Sequence, residues 1–249
     1  MARLKIKMLR GIIMYEKLDA ELPELKPFPV SEEELLQRYE NLFTAVCYDV
    51  LDQVYNKPKC VLPSDLIPLE PGYKVAGIAF TIKGVHSPVA VDQAEEMQIR
   101  AKFIASYPKN SFAVWDTSMD FSLAHYGEMM AFSSMSQGCK AAAVYGGVRD
   151  VDRIIDMGFK VWSKVRSPRS MRHRHRIISY QIPIIVGDVT VYPGDVVYGD
   201  MDGIVVIPRD LAYDVLMEAE KRKKEELSWR EILATGIHPV DALKQGVKF

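Results

Sequence analysis

Apolar positions recur along this chain at two periods, and the switches between them fall at recognisable stops. Ser31-Glu32-Glu33-Glu34 has the spacing of a capping box and predicts a helix running to about residue 43. A second helical stretch follows over 44–54, and a loop punctuated by prolines over 57–71. The run YKVAGIAFTIK (73–83) is rich in β-formers with apolar alternation and predicts a strand. A helix over 92–105, a turn at Pro108-Lys109-Asn110 and a strand over 112–116 complete the first half.

The second half carries denser signals. Residues 127–140 read as a helix, 141–145 as a buried strand and 151–157 as a short helix. Short strands are expected at 159–163, 182–186, 189–191, 195–199 and 204–207. Turn residues at Gly187-Asp188, Pro193-Gly194-Asp195 and Asp202-Gly203 separate the later ones. Leu211, Val215, Leu216 and Ala219 share one face of an amphipathic helix over 210–227. A shorter helix ends at Gly236 and a last one follows Pro239. The pattern is mixed α/β, without internal repeats.

Composition narrows the class. A chain of 249 residues, 48% of them hydrophobic, fits one large domain over 31–249. Residues 1–30 form an N-terminal extension, and prolines 23, 27 and 29 make its end an extended arm. The formal net charge of −1 supplies no global basic field, which argues against a nucleic-acid partner. Cys47, Cys60 and Cys139 are odd in number and lack Cys-x-x-Cys spacing, excluding a simple disulfide framework and a cysteine zinc site. Lys5, Lys7 and Arg10 interrupt the apolar start, and no run is long enough to span a membrane. The expected setting is cytoplasmic, with no membrane partner.

Several common sites are missing. There is no Gly-x-Gly-x-x-Gly loop, Walker loop, Gly-x-Ser-x-Gly elbow or His-Glu-x-x-His pair. His86, His125, His173, His175 and His238 make no helical metal pair, and His173-x-His175 reads as solvated within a basic segment. Any metal would then be held by carboxylates, which favours Mg2+ or Mn2+.

One spacing points to chemistry. A helix of about 12 residues beginning at Glu128 advances about 18 Å, and the strand after it returns about 18–20 Å. Glu128 and Arg149-Asp150 therefore reach the same edge of the sheet. The amides of Gly127, Glu128, Met129 and Met130 at the helix start could receive a carboxylate, and Gly146-Gly147 lets the backbone approach a ligand. Such a constellation could hold a hydrated divalent cation beside a 2-oxo acid. The alternative is an ordinary surface ion pair at a helix start.

The segments YGGVRD (145–150) and PGDVVYGDMDGIVVIP (193–208), with PLEPGYKVAGIAFTIK (68–83), resemble the family of 4-hydroxy-4-methyl-2-oxoglutarate aldolases and the regulator of ribonuclease activity A. The resemblance covers roughly 35–247. It implies an α/β fold, an RraA-like layered α-β-β-α sandwich of the swivelling β/β/α type with C-terminal helices. Catalytic members are similar in carrying an acid, twenty intervening residues, then Arg-Asp. Glu128 stands where aldolases usually carry Asp, Arg149 and Asp150 match, and Tyr145 matches the regulator rather than many aldolases. The regulator lacks the acid after the arginine.

The resemblance implies a class II lyase that cleaves 4-hydroxy-2-oxo or 4-carboxy-2-oxo acids to pyruvate, with oxaloacetate decarboxylation through the same enolate. It assigns Asp150 and Glu128 to Mg2+ or Mn2+, and Arg149 to the enolate. The substrate carboxylate goes to the amides of 127–130. It also implies a homotrimer or hexamer with sites between subunits, where Glu226 of a neighbouring C-terminal helix completes the site. The other reading of KRKKEE (221–226) is a solvated charged face. Asp200, Asp202 and Gly203 read as a supporting turn. The basic segment RSPRSMRHRHR (166–176) is either a solvated loop, an anion clamp for the substrate's distal carboxylate, or a contact for RNA or an acidic protein. The alternative function is a non-catalytic, protein-binding regulator of RNA degradation.

Overall fold

The computed structural model describes residues 25–87 and 93–248, together with the backbone of two short N-terminal strands. Those strands, β1 (Ile6–Leu9) and β2 (Ile12–Tyr15), pair antiparallel where the sequence suggests only an extension. Residues 20–24 of the expected arm lie outside the described residues, and 25–30 carry no helix or strand.

Helix α1 (Glu32–Glu40) begins as its capping box requires, with Ser31 Oγ accepting from the Glu34 N–H at 3.1 Å. Helix α2 (Thr44–Gln53) has no such local cap. Its cap comes from far along the chain: Asp200 accepts from Thr44 N–H at 2.8 Å and from the Thr44 hydroxyl at 2.7 Å. The same carboxylate accepts from Asp202 N–H, so Asp200, Asp202 and Gly203 form the expected turn.

A nine-stranded sheet organises the rest. Its main path runs β13 (Ile204–Ile207), β12 (Val196–Gly199), β4 (Val75–His86), β5 (Ser111–Asp116), β7 (Ala141–Val148), β8 (Lys160–Arg166) and β3 (Ile67–Pro68). Strand β6 (Ala124–Tyr126) joins β7, and β9 (His175–Tyr180) joins the second half of β4. Strands β4, β5, β7 and β8 are mutually parallel. Parallel neighbours need crossovers, here α3 (Gln93–Ala105), α4 (Glu128–Ser136) and α5 (Val151–Asp156). Being covered on both faces, β5 and β7 are buried throughout, which is why they read as unbroken apolar runs. A separate hairpin, β10 (Ile184–Val186) with β11 (Val189–Val191), completes the strands.

Two apolar clusters lie against the sheet. The larger gathers β4, β5, β7 and β8 around Phe80, Trp115 and Trp162. In the smaller, α1, α2 and α6 (Ala212–Ala234) pack on β12, β13 and the start of β4 through Leu35, Tyr39, Val46, Tyr198 and Leu216. Helix α7 (Pro239–Lys244) follows. No helix among the described residues is long and apolar enough to cross a membrane.

Three expectations change. Helix α6 is continuous to Ala234, because no breaker stands between 227 and Thr235-Gly236, where a positive φ ends it. Helix α4 stops at Ser136 rather than near 140, since Gly138 turns left-handed. The basic segment is not a loop throughout: its last two residues, His175 and Arg176, begin β9.

Asp195 sits buried in the turn before β12, accepting from Tyr192 N–H at 2.9 Å and Arg209 N–H at 3.2 Å. Burial pushes its carboxyl up to about 6, against the pull of those two amides and the Arg209 charge. A raised folded value means that the ionised form is disfavoured by folding. The cost is absent below the unfolded value near 3.8 and grows as pH rises towards 6, reaching about 3 kcal/mol. Asp195→Asn removes this term, and with it one of the two acceptors, a loss that does not vary with pH between these limits. Between pH 3.5 and 7 the urea-unfolding stability of D195N should therefore gain on the wild type by about that amount. A difference between the two proteins that stays constant with pH would exclude ionisation of Asp195 as the cause.

Candidate active site at the end of the central strand

In a sheet of parallel strands, the loops beyond the strands' C-terminal ends are where ligands gather. Strand β7 leaves the sheet through Gly146-Gly147-Val148, with a register shift against β8 between Val144 and Gly147. Arg149 N–H donates to Tyr126 O at 3.0 Å, and Ser167 N–H donates to Val148 O at 2.9 Å. These two bonds pin the strand exit between β6 and the loop after β8.

Asp150 then takes a left-handed conformation, φ 56° and ψ 36°, at a cost of roughly 1–2 kcal/mol for an L-residue. It stands at the N-cap of α5 but makes no side-chain cap there. Its carboxylate is turned instead onto α4, where Oδ2 accepts from Glu128 N–H at 3.3 Å. Arg149 Nε lies 3.5 Å from the same oxygen. The three residues joined by spacing alone thus come to one edge, Glu128 meeting Asp150 through its backbone N–H.

Gly127, the N-cap of α4, makes the meeting possible. Its backbone is extended, but a Cβ there would stand 2.9 Å from Asp150 Oδ2 and 3.1 Å from Arg149 Cγ. Glu128 opens the helix, and its Oε2 accepts from Arg153 Nη1 of α5 at 2.9 Å, a pairing the sequence reading missed. Met129 is exposed, while Met130 packs against the larger apolar cluster. Glu226 lies on α6, whose main packing partners among the described residues are α2 and α1 rather than α4 or α5.

A cleft of about 320 Å³ opens beside Asp150, lined by Val148, Arg149, Val151, Arg166, Ser167 and Pro168. The side chains of Arg149 and Asp150 are 45% and 38% exposed, so both are open to solvent at its edge. The donor set suits a hydrated, oxygen-preferring dication. Asp150 has one oxygen without a recorded partner, Glu128 keeps Oε1 free of its arginine, and Gly127 leaves the space that a Cβ would fill. Arg166, from the basic segment, reaches the cleft and donates to Leu69 O at 3.1 Å.

The histidine reading requires correction. His173 is exposed, but His175 is buried and faces His125, with ring centroids 4.4 Å apart and Asp120 beside them. Carboxylates are therefore not the only groups among the described residues that could hold a metal. No spacing in the sequence signals this cluster, because β9 brings one ring to the other only through its pairing with β4.

Comparison with known proteins fits this architecture. The family model described as RraA-like, Aldolase/RraA, matches residues 44–206. Protein DlpA of Legionella pneumophila is 26% identical over 205 residues; these are 81% of this chain but 32% of DlpA, so the chain spans about a third of that protein. A Halalkalibacterium halodurans protein provisionally named 4-hydroxy-4-methyl-2-oxoglutarate aldolase is 22% identical over 85% of this chain and 94% of its own. Among solved structures, one described under novel cellulases from gut-associated microbes superposes with a TM-score of 0.78. It is 36% identical and covers 82% of this chain and 90% of its own. Streptomyces coelicolor RraAS2, described as an unusual member of the RNase ES inhibitor RraA family, superposes at 0.71. It is 21% identical and covers 82% of this chain and 99% of its own.

Proposed function

The chain belongs to the RraA-like Aldolase/RraA family, and from that premise we propose that it is a divalent-metal-dependent carbon–carbon lyase releasing pyruvate from 4-hydroxy-2-oxo or 4-carboxy-2-oxo acids. The observation that carries this reading is the Asp150 carboxylate held against the Glu128 amide and the Arg149 guanidinium at the edge of an open cleft. Curated relatives named as aldolases support it.

Asp150, with Glu128 through its unpaired oxygen or through water, would hold Mg2+ or Mn2+. Bound there, the cation supplies Lewis acidity towards the carboxylate and keto oxygens of the 2-oxo acid. Arg149 supplies the second positive centre. As the C3–C4 bond breaks, its electron pair moves into the enolate and negative charge collects on the keto oxygen. A guanidinium beside the keto oxygen would stabilise that charge. The amides of Met129 and Met130 at the start of α4 would receive the substrate carboxylate, the Glu128 N–H being held by Asp150. An ordered water would take the C4 hydroxyl proton as base, and Glu226 of a neighbouring subunit would complete the site in a homotrimer or hexamer. Decarboxylation of oxaloacetate reaches the same enolate, with carbon dioxide leaving instead of an aldehyde or ketone.

The test is a lactate-dehydrogenase-coupled assay over a panel of 4-hydroxy-2-oxo acids and oxaloacetate, with Mg2+, Mn2+ and a chelator control. Pyruvate that appears only with metal supports the lyase. Its absence across the panel with every divalent ion returns the protein to the regulator reading. Arg149→Lys should lower kcat by roughly 10²–10³-fold with little change in KM, because an ammonium cannot reproduce the planar donor fork. Equal kcat in R149K and the wild type would remove the guanidinium from the mechanism.

A further inference from the structure

We propose that Asp120, His125 and His175 form a binding site for a single transition-metal cation of the Zn2+, Co2+ or Ni2+ class, separate from the oxygen-lined cleft at Asp150. One ligand atom from each residue lies within 4.8 Å of the others. Among the described residues, Asp120 Oδ2, His125 Nε2 and His175 Nδ1 are buried and have no hydrogen-bond partner within 3.5 Å, the first two facing each other at 3.6 Å. His125 and His175 are 2% and 1% exposed, and the Asp120 side chain is 11% exposed. Three converging polar atoms in a desolvated place are costly unless something between them is shared.

The surroundings are built for the two rings. A Cβ on Gly84 would fall 2.2 Å from His175 Cε1, and one on Gly146 would fall 2.6 Å from His125 Nδ1. Two glycines thus leave the space in which the imidazoles sit. Asp120 is fixed through its other oxygen, Oδ1, which accepts from Ser122 N–H at 3.0 Å and Ser122 Oγ at 2.8 Å. Its Oδ2 is left aimed at His125 Nε2, 3.6 Å away.

The tautomer of His175 favours ligation. His175 Nε2–H donates to Thr117 O at 3.1 Å, so a neutral ring offers the lone pair of Nδ1 inwards. An outer hydrogen bond to a backbone carbonyl is the usual way a metal-bound histidine is oriented.

One contact opposes the assignment. Gly147 N–H points at His125 Nδ1 at 3.3 Å, which favours the tautomer with its proton on Nε2. Ligation by Nε2 moves that proton to Nδ1 and gives up a single long hydrogen bond, against three metal–ligand bonds gained; the balance favours the metal. Tetrahedral coordination needs ligand atoms roughly 3.4 Å apart, so Asp120 and His125 already stand near the required spacing. Two imidazoles and one carboxylate select a borderline cation over Mg2+, and water would complete the fourth position. The bound ion would tie the β5–β6 loop, β6 and β9 together just before the chain reaches Gly127.

The test uses the full-length protein, stripped with chelator and titrated with Zn2+ and then Co2+. The expected result is stoichiometric zinc by elemental analysis and tetrahedral Co2+ bands in the visible spectrum. Both should be lost in His175→Gln and Asp120→Asn and retained in Asp150→Asn. Zinc-edge X-ray absorption of the wild type should show two imidazole nitrogens; this keeps the test decisive even where a histidine variant folds poorly. Oxygen-only coordination, zinc retained in folded H175Q, or a water peak on the three atoms that persists in zinc-soaked crystals would each overturn the proposal.

Discussion

Asp150→Asn should lower metal-dependent pyruvate release by roughly 10³-fold or more while leaving the fold in place. Several kcal/mol of transition-state charge stabilisation are assigned to the cation that this carboxylate would hold, and each 1.36 kcal/mol is tenfold in rate. Asparagine is the informative replacement because the position is left-handed, φ 56°. Asn tolerates that conformation as Asp does, whereas alanine would add a backbone penalty unrelated to charge. The amide oxygen can still accept from Glu128 N–H, so the start of α4 keeps its partner. The thermal midpoint should move by no more than a few degrees, and Mn2+ binding followed by electron paramagnetic resonance should weaken in parallel with activity. A D150N protein retaining more than a tenth of wild-type turnover would take Asp150 out of the reaction.

Gly127→Ala should separate activity from stability more sharply. The backbone at 127 is extended, with φ −154°, a conformation alanine adopts freely, so the new methyl group meets only side chains. It would arrive 2.9 Å from Asp150 Oδ2 and 3.1 Å from Arg149 Cγ. Both belong to partly exposed side chains that can swing aside. The stability cost should therefore stay below about 1 kcal/mol. The catalytic cost is larger, because displacing reacting groups by about 1 Å can lower rates 10²-fold. A G127A enzyme with wild-type kcat/KM would show that the close approach of Asp150 to the helix start has no catalytic use.

The parts of this molecule visible in the sequence are those set by local chemistry. Ser31 and Glu34 cap α1 as their spacing requires, and the turns at Gly187, Gly194 and Gly203 all carry positive φ between short strands. The meeting of Glu128 with Asp150 was legible because a helix and the strand after it return the chain to one edge. Helix α4 is shorter than expected and β7 runs on to Val148, yet the chain still returns to that edge. What could not be read depends on distant pairing. Strand β9 is masked by the arginines and histidines at its start and is defined by its partner β4. The Arg153–Glu128 pair needs the relative placement of two helices. The His125–His175 contact needs the same strand pairing that hides β9.

The long-range cap on α2 bears on the order in which the chain assembles. Asp200 lies 156 positions beyond Thr44, so during synthesis the helix emerges long before its acceptor exists. Until the β12–β13 hairpin forms, the start of α2 must rely on water. The hairpin turn therefore locks the N-terminal helices late, and a nascent chain ending before residue 200 should hold α2 only loosely. Such a contact, reached after a large loop closure, belongs among the slow steps of folding.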